Sequence, residues 1–543
     1  MKRNIFVCQA GYRPTGFKKA ALNFKADEFA VVSADGNVRT RGKTVHFGYD
    51  ELSGDDIYIA DFSDFTENGR FFVSADGVKS YLFDINENVY EKPLEKVVKA
   101  FYFLRCGCGL DERFAGKFSH APCHNESALV YGKSGELREV SGGWHDAGDY
   151  GRYVTAGAVS AAHLLYAFKM YPEVFCGLNV GIPESGGALP DVLAECRVEL
   201  EWLMKMQDAD GGVHHKVSTM KHAPFIMPED DREPLYLFAV SSMATADLAA
   251  VCALASRVYS PYDKNFSSRL IAAAEKSAEW LKINKKFVPF HNPRDCNTGV
   301  YGERDDADNR FWAWAELYCA TGREEYHELM KSALEQDFPL THLGYGSVGG
   351  LGALGYILSD RAEKDEVIHA ELCGNFLREA RELKNNSEKC GYGAAMTARE
   401  YGWGSNFNLM KNAMIFLIAD YIGCAESYTG LAEEQLHVLF GKNALGFSYV
   451  SGVGENCMKY PHLRSASADG VDECLPGFVS GGPNANLDDE AARFIIPRGT
   501  PPMKCYADRE ECYSLNEVTI YWNSPAAFVL AGILDRQSKN GRK

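Results

Sequence analysis

Two aspartates, Asp146 and Asp149, stand three residues apart in the glycine-rich stretch SGGWHDAGDYGRYV. A spacing of three places two side chains on one face if a helix begins there, and the apolar run that follows, YVTAGAVSAAHLLYAF, predicts a buried helix. Both carboxylates are then expected at a helix N-terminus, where unpaired N–H groups and the helix dipole stabilise ionised carboxylates and favour a base. The alternative interpretation is an aspartate N-cap with a solvated neighbour.

A third acidic candidate, Glu517, precedes a mixed apolar and aromatic run close to the C-terminus. Apolar surroundings raise the pKa of a carboxylic acid. A desolvated glutamic acid and an ionised aspartate are the pair needed to hydrolyse a glycosidic bond, because one protonates the leaving oxygen while the other activates water. The residue type alone leaves a surface glutamate as the alternative.

A third stretch, SYVSGVGENCMKYPHLRS, brings His462 and Arg464 two residues apart at the end of a glycine-rich loop. Both side chains can donate hydrogen bonds to a sugar hydroxyl. The alternative is a loop histidine and a surface arginine without a ligand.

Composition narrows the class of protein that must position these residues. The chain has 543 residues with 46% hydrophobic, 12% aromatic and 24% charged residues, so it is globular and long enough for two or more domains. Its net charge of −17 argues against a nucleic-acid partner, and its apolar runs fall short of the ~20 residues of a membrane span.

The start of the chain and its cysteines bear on the cellular compartment. The first apolar run in MKRNIFVCQAGYRP is too short for a signal peptide, which predicts a cytoplasmic protein. Many of the sixteen cysteines stand in apolar helical stretches, where a reduced thiol behaves as a small hydrophobe.

The pattern of the chain changes near residue 89. Residues 1–88 contain short β-like runs separated by turn residues, which predicts a small β-sandwich. From EKPLEKVVKAFYFL onward the periodicity is helical, and about a dozen helices joined by long loops predict a mainly α domain over residues 89–543. The absence of a short fixed-period repeat favours a closed helical barrel, with its long loops converging at one end, over a solenoid.

These segments together resemble the family 9 glycoside hydrolases. The stretches GGWHDAGDYGRYV, SYVSGVGENCMKYPHLR and YADREECYSLNEVTIYWNS match the family's aspartate, histidine and second acidic signatures. Further similar stretches, including NIFVCQAGYRP, TGVYGERDDADNRFWAWAEL and PGFVSGGPN, extend the likeness over nearly the whole chain. The resemblance implies an immunoglobulin-like β-sandwich followed by an (α/α)6 barrel.

The resemblance also implies roles for the acidic residues. It makes Glu517 the general acid, Asp149 the base that deprotonates water, and Asp146 the partner that helps to hold this water. The implied mechanism is inverting, which requires acid and base to be separated by roughly 6.5–9.5 Å. His462 and Arg464 are expected to hold sugar hydroxyls beside the cleaved bond.

Metal sites and subsites follow from the same resemblance. Cys106, Cys123, His124 and His145 resemble zinc ligands of the immunoglobulin-bearing members, and two thiolates with two imidazoles form a closed structural set. The aromatic residues in the matching motifs, candidates for stacking on sugar rings, are Trp403, Tyr513 and Trp522.

Four further expectations concern individual positions. Asp508 is interpreted as an orienting and structural residue. The acidic cluster Glu303, Asp305, Asp306 and Asp308 could bind calcium through its oxygens or be a solvated loop. Trp312 and Trp314 are expected mainly in the core. Leu463 stands where many relatives have a second histidine, which weakens a substrate assignment by analogy.

The leading hypothesis is an inverting hydrolase of β-1,4-glucosidic bonds in cello-oligosaccharides or soluble β-glucans, with a β-linked oligosaccharide as its partner and no nucleic acid or membrane. An exo-β-glucosaminidase acting on chitosan oligosaccharides is the alternative enzyme, since the acidic chain suits a cationic sugar. A sensor that binds oligosaccharides without turnover is the non-enzymatic hypothesis. The protein is expected to be a monomer or a weak homo-oligomer.

Overall fold

A computed structural model of the chain describes residues 3–361 and 363–540, the last five of these by their backbone alone. The chain forms two compact units. The first comprises residues 1–100, 377–466 and 472–543, and the second comprises residues 101–376 and 467–471.

The N-terminal part of the first unit consists of β-strands, as the short alternating runs predict. The strands are β1 (Ile5–Phe6), β2 (Lys19–Leu22), β3 (Glu28–Ser33), β4 (Val38–Lys43), β5 (Val45–Asp50), β6 (Asp55–Asp61), β7 (Gly69–Ala75), β8 (Val78–Lys79) and β9 (Phe83–Ile85). One antiparallel sheet has the order β1-β2-β6-β5, and the other has the order β4-β3-β7-β8 with β9 also paired to β7. An N-terminal β-sheet domain is therefore confirmed.

The rest of the chain is mostly helical, and twelve of the helices within the described residues have nine or more residues. The helices are α1 (Glu91–Phe103), α2 (Glu112–Ala115), α3 (Val154–Met170), α4 (Pro172–Cys176), α5 (Asp191–Lys205), α6 (Ser242–Tyr259), α7 (Lys264–Ile283), α8 (Ala307–Thr321), α9 (Glu324–Leu334), α10 (Gly349–Ile357), α11 (Glu366–Glu388), α12 (Ser405–Ile422), α13 (Thr429–Leu439), α14 (Arg464–Ala468), α15 (Glu490–Ile495), α16 (Tyr513–Asn516) and α17 (Ile520–Asn540).

Helices of two kinds alternate in the second unit. In α3 every residue except Lys169 is buried, and in α6 every residue except Arg257 is buried. The following helix α7 buries a single stripe that includes Phe266, Leu270 and Trp280, so its opposite face lies at the surface. A helix that is buried on nearly every side belongs to the centre of a fold and an amphipathic one to its outside, so the core of this unit lies around α3, α6 and α8.

The propensity of its residues does not predict helix α10, because its sequence GGLGALGYI is rich in glycine, which has poor helix propensity. A Cβ atom at Gly352 would lie 2.8 Å from the ring of Phe311, and one at Gly355 would lie 1.9 Å from Oε1 of Glu316. The glycines therefore let α10 approach α8 closely, and this packing outweighs the low propensity.

Buried polar contacts join the β-sheet domain to the C-terminal helices within the first unit. Arg13 donates two hydrogen bonds to Glu433 of α13, one of them at 2.8 Å, and the Tyr90 hydroxyl lies 3.3 Å from Glu433 Oε1. Gly391 N donates to Asp50 Oδ2 at 2.7 Å. These contacts bind the β-sheet domain to its own unit through residues remote in sequence.

Seven short strands lie among the loops of the second unit: β10 (Ala128–Val130), β11 (Leu137–Arg138), β12 (Arg152–Tyr153), β13 (Val213–His214), β14 (Lys216–Ser218), β15 (Tyr236–Leu237) and β16 (Val240–Ser241). Five of them form a sheet of order β11-β10-β15-β14-β12. Over residues 3–361 and 363–540, none of the helices combines the length and apolarity that a membrane span requires.

Candidate active site

The loop that carries Asp146 and Asp149 lies in the second unit and precedes α3 without belonging to it. The helix begins at Val154, and strand β12, which pairs with β14, stands between the aspartates and the helix. Asp146 N donates to Gly151 O at 3.0 Å and closes the loop on itself. The expectation that both carboxylates lie at a helix N-terminus is therefore wrong, because the backbone turns back on itself before the helix starts.

The segment before the aspartates is held from two sides. His145 N donates to Leu104 O at 2.7 Å, and Cys106 N donates to Gly143 O at 2.8 Å. Between these bonds, the backbone N–H of Trp144 donates to Glu199 Oε2 at 2.7 Å and its indole N–H donates to Glu195 Oε1 at 2.8 Å.

The two glutamates are four residues apart on α5, so one face of that helix holds both ends of the tryptophan. Burial raises the pKa of Glu199 to about 8. The hydrogen bonds from Trp144 to Glu195 and Glu199 fix the backbone just before Asp146.

Tyrosine hydroxyls hold both aspartates, which are 1% and 6% exposed. The Tyr301 hydroxyl donates to Asp146 Oδ2 at 2.5 Å, and the Tyr153 hydroxyl donates to Asp149 Oδ2 at 3.0 Å. The Tyr153 hydroxyl also accepts a hydrogen bond from Gly299 N at 3.0 Å. Asp146 Oδ1 is buried and has no hydrogen-bond partner among the described residues, so it can accept from a bound molecule.

The electrostatics of this loop are those of a desolvated acidic pair. Burial, followed by the negative charge of Asp149, raises the pKa of Asp146 well above its ordinary value. Lys216 is buried nearby in β14 and donates to Gly299 O at 2.6 Å and Thr298 Oγ1 at 2.8 Å. Burial lowers the pKa of Lys216 to about 8, and the charge of Asp149 opposes that fall.

The four residues that resemble zinc ligands come together in the second unit. One ligand atom from each of Cys106, Cys123, His124 and His145 lies within 4.8 Å of the others, and all four residues are buried. His124 has a φ of 49°, a conformation rare outside glycine, and its Nδ1 is buried without a hydrogen-bond partner in the described part of the chain. Its Nε2 lies 3.4 Å from Asp231 Oδ2, which orients the ring.

The acidic cluster of the second unit is divided between two sets of contacts. Asp306 accepts from Arg310 at 2.9 Å, and Asp305 accepts from Ala307 N at 3.2 Å, so both serve the start of α8. Glu303 is drawn inward instead, where burial and the charges of Asp247 and Asp308 raise its pKa to about 10.

Glu517 lies in the first unit, directly after α16, and is half-buried. It forms a parallel bridge with His462, in which His462 N donates to Asn516 O at 2.9 Å, and Gly481 N donates to Glu517 O at 2.8 Å. The imidazole Nδ1 of His462 lies 2.7 Å from Glu510 O. The fold therefore brings the histidine segment and the second acidic segment side by side.

Asp508 holds these two segments together through backbone groups. Its carboxylate accepts hydrogen bonds from Lys459 N at 2.9 Å, Tyr460 N at 3.0 Å and Asn516 Nδ2 at 2.9 Å. Three donors satisfy a carboxylate that links residues about fifty positions apart. This placement agrees with an orienting role.

The aromatic candidates of the first unit differ in exposure. Trp403 and Tyr513 are 48% and 38% exposed and their ring centroids are 5.3 Å apart, and His462 lies 5.8 Å from the Tyr513 ring. Trp522 is only 2% exposed, and Cβ atoms at Gly404 and Gly481 would lie 3.0 Å from its ring. Both loops therefore lie against Trp522, and this burial does not favour the prediction that Trp522 stacks on a sugar.

Other positions from the sequence are buried. Leu463 is 1% exposed and Arg464, at the start of α14, is 7% exposed. Trp312 and Trp314 are buried in α8, as expected of core residues.

Several residues of the aspartate site were not singled out by the sequence. Tyr153 and Tyr301 stand inside the matching stretches GRYV and TGVYGERDD, but no pattern marks their hydroxyls as partners of the aspartates. His222 comes from a separate loop, and its Nδ1 lies 3.3 Å from Asp149 Oδ2. Only the folded chain shows these three contacts.

Family models match almost the whole chain. The model for glycosyl hydrolase family 9 matches residues 90–530, and the model for the cellulase N-terminal Ig-like domain matches residues 1–80. The boundary between the two matches falls close to the change from strands to helices.

Individual relatives match over their full lengths. A cellodextrinase of Butyrivibrio fibrisolvens is 45% identical over an alignment of 551 residues, and this alignment covers 98% of this chain and 100% of the relative. A single-mutant thermostable endoglucanase from Alicyclobacillus acidocaldarius has a TM-score of 0.93 at 34% identity, over 98% of this chain and 100% of that one. A Zn-binding triple mutant of the family 9 endoglucanase J30 has a TM-score of 0.90 at 32% identity, over 96% of this chain and 99% of that one. With its strand-rich N-terminal domain, its helical catalytic domain and these full-length matches, the chain belongs to glycoside hydrolase family 9.

Proposed function

We propose that the protein hydrolyses β-1,4-glucosidic bonds of cello-oligosaccharides with inversion at the anomeric carbon. Asp149 takes a proton from water as this water attacks the anomeric carbon, and Glu517 protonates the departing glycosidic oxygen. Asp146 holds the attacking water. The full-length similarity to a cellodextrinase supports short glucans as the substrate class.

The observation that carries the mechanism is the buried pair Asp146 and Asp149, held by separate tyrosine hydroxyls. Fixed donors orient the two carboxylates before substrate binds, so little reorganisation is needed during the reaction. The unpartnered Oδ1 of Asp146 is an acceptor suited to a water hydrogen.

Sugar binding is assigned to residues of the first unit. His462 and Arg464 are proposed to donate to sugar hydroxyls, and Trp403 and Tyr513 to stack on sugar rings. The exposure of Trp403 and Tyr513 supports that role, since a stacking ring must present a face to the ligand. Asp508 is proposed to act indirectly by joining the His462 and Glu517 segments.

A structural zinc ion is proposed at Cys106, Cys123, His124 and His145. Two soft thiolates and two imidazoles at mutual distances below 4.8 Å suit a tetrahedral Zn²⁺, and the unpartnered Nδ1 of buried His124 supports a ligand there. When bound, zinc would supply folding free energy and no chemistry, because all four positions are filled by the protein. His145 directly precedes Asp146, so its fixation orients the aspartate loop.

Calcium binding is proposed at a narrower set than the sequence indicates. Asp305 and Asp306 are engaged at the start of α8, whereas Glu303 and Asp308 share their surroundings with buried Asp247. Asp247 Oδ2 and Glu303 Oε1 have no hydrogen-bond partner among the described residues. A calcium-dependent rise in melting temperature that is lost on replacing Glu303 with glutamine tests this site.

At the level of architecture, we propose a division into residues 1–88 and 89–543, an (α/α)6 barrel for the larger part, and a monomeric or weakly associating protein. The alternation of fully buried and amphipathic helices supports the barrel. Light scattering at increasing concentration tests the oligomeric state.

The function is tested with cellopentaose and a chitosan pentamer in separate reactions. NMR of the first product should show the α-anomer, as inversion requires. Only cellopentaose should be shortened, and the chitosan pentamer should stay intact. Asp149→Asn and Glu517→Gln should lower kcat by about 10²–10⁴, whereas Glu511→Gln, on a nearby exposed side chain, should leave kcat unchanged. Release of glucosamine alone would favour the exo-β-glucosaminidase, and binding with a rate unchanged by Glu517→Gln would favour the sensor.

A further inference from the structure

His222 is a histidine of the loop between β14 and β15 whose imidazole lies beside the aspartate pair. Its Nδ1 is 3.3 Å from Asp149 Oδ2, and its side chain is 37% exposed while that of Asp149 is 8% exposed. An exposed ring therefore contacts a buried carboxylate, at the edge between solvent and the acidic site.

Two hydrogen-bond donors and the His222 imidazole meet at the same carboxylate oxygen. Gly151 N donates to Asp149 Oδ2 at 3.3 Å and the Tyr153 hydroxyl donates at 3.0 Å, while His222 Nδ1 approaches from a different loop. The first two donors come from the aspartate's own segment. His222 thus contacts the carboxylate from outside that segment.

The loop of His222 is itself fixed on both sides. His222 N donates to Asn297 Oδ1 at 3.3 Å, and Asn297 N donates to Met220 O at 3.0 Å. Four residues further along, Ile226 O accepts from the hydroxyl of Tyr150, the neighbour of Asp149, at 2.6 Å. The imidazole is therefore carried by backbone tied to the aspartate loop and to the loop that bears Tyr301.

The charged and titratable groups around Asp149 come from several elements. Asp146 lies on its own loop, Tyr153 on β12, Lys216 on β14 and His222 on the following loop. Lys216 is fully buried, and its ammonium group is held by Thr298 and Gly299. Among these groups His222 combines a direct approach to Asp149 with access to solvent.

We propose that His222 is a positioning residue for the base: its Nδ1–H donates to Asp149 Oδ2, holds the carboxylate in the orientation that receives the proton of water, and favours its ionised form. This inference rests on the proposed role of Asp149. A donor to the charged form of a carboxylate stabilises that form in both protonation states of the imidazole, provided that Nδ1 carries the hydrogen.

The test compares His222→Ala, which removes the donor, with His222→Asn, whose amide nitrogen takes nearly the place of Nδ1 and does not titrate. His46→Ala is the matched control, because His46 pairs with Asp56 at 2.7 Å on the exposed β-sheet domain. Initial rates on cellopentaose from pH 4 to 9 give kcat and kcat/KM, and melting temperatures show that each variant is folded.

We expect His222→Ala to lower kcat about tenfold with KM within about twofold of wild type, the effect of one hydrogen bond to a charged group. The acidic limb of kcat/KM should move to higher pH, because the carboxylate loses a donor to its ionised form. His222→Asn should recover most of kcat, and His46→Ala should match wild type.

The inference is overturned if His222→Ala matches wild type in kcat and in its acidic limb, or if His222→Asn is as slow as His222→Ala. A higher KM with unchanged kcat would also overturn it, since this pattern indicates a sugar contact. Failure of the proposed function gives a different result: wild type inert on cellopentaose, or Asp149→Asn as active as wild type.

Discussion

Tyr153→Phe offers the sharpest test of the aspartate site, because it removes one oxygen and keeps the ring. Tyr153 is 2% exposed, and its hydroxyl donates to Asp149 Oδ2 and accepts from Gly299 N, each at 3.0 Å. The phenyl ring should keep its contact with Tyr301, whose centroid is 4.8 Å away. The substitution therefore tests the two hydrogen bonds with little change in packing.

The expected changes in pKa and in stability follow from the groups that each hydrogen bond of the Tyr153 hydroxyl joins. A hydrogen bond to a charged group contributes about 1.5–3 kcal/mol, and one pKa unit corresponds to about 1.4 kcal/mol. Loss of this donor should therefore raise the pKa of the Asp149 carboxyl by roughly one to two units. Gly299 N, which is partly buried, also loses its acceptor, and this loss should lower the free energy of unfolding by about 0.5–1.5 kcal/mol.

The assay is the pH dependence of kcat/KM on cellopentaose together with urea unfolding. The acidic limb should move upward by roughly one to two pH units, because a base must lose its proton to work and its pKa has risen. An acidic limb that stays in place while stability falls would refute the reasoning. Tyr153 would then be structural, and the base would lie elsewhere.

Four further predictions concern the rest of the molecule. Glu517→Gln should lower kcat on cellopentaose by about 10²–10⁴, and should lower it less on an aryl cellobioside, whose leaving group needs no proton. Equal losses on the two substrates would contradict the assignment of Glu517 as the general acid. Elemental analysis should find one zinc per chain, and Cys123→Ser or a chelator should lower the melting temperature; metal-free protein of unchanged stability would contradict the zinc site. Burial lowers the pKa of His163 from 6.5 to about 4. The neutral imidazole therefore contributes fully to stability above pH 6.5, and about 3 kcal/mol of the free energy of unfolding is lost as the pH falls to 4. In acid unfolding curves, His163→Gln should reduce this loss. Trp403→Ala should raise KM at an unchanged melting temperature, whereas Trp522→Ala should destabilise the fold by about 3–5 kcal/mol. The reverse pattern would support Trp522 as a residue that stacks on a sugar.

Local sequence patterns determined much of the architecture. The change from alternating strands to helical periodicity near residue 89 predicted the strand-rich N-terminal domain and the helical remainder, because burial of one face imposes a period of 2 or 3.6 on apolar residues. The same patterns missed α10, since its glycines are explained by the approach of α8 and not by propensity. They also placed Asp146 and Asp149 at the start of a helix that begins only at Val154.

The sequence by itself determined the family and the set of acidic, histidine and cysteine candidates, because these residues lie in short stretches that can be recognised without knowing how the chain folds. Tertiary structure decided which side chains meet. It gathered Cys106, Cys123, His124 and His145, placed Tyr153 and His222 at one oxygen of Asp149, and buried Trp522 beneath two glycine loops. Hydrogen bonds between residues far apart in the chain leave no periodic signal in sequence, so burial and orientation emerge only when the loops are packed.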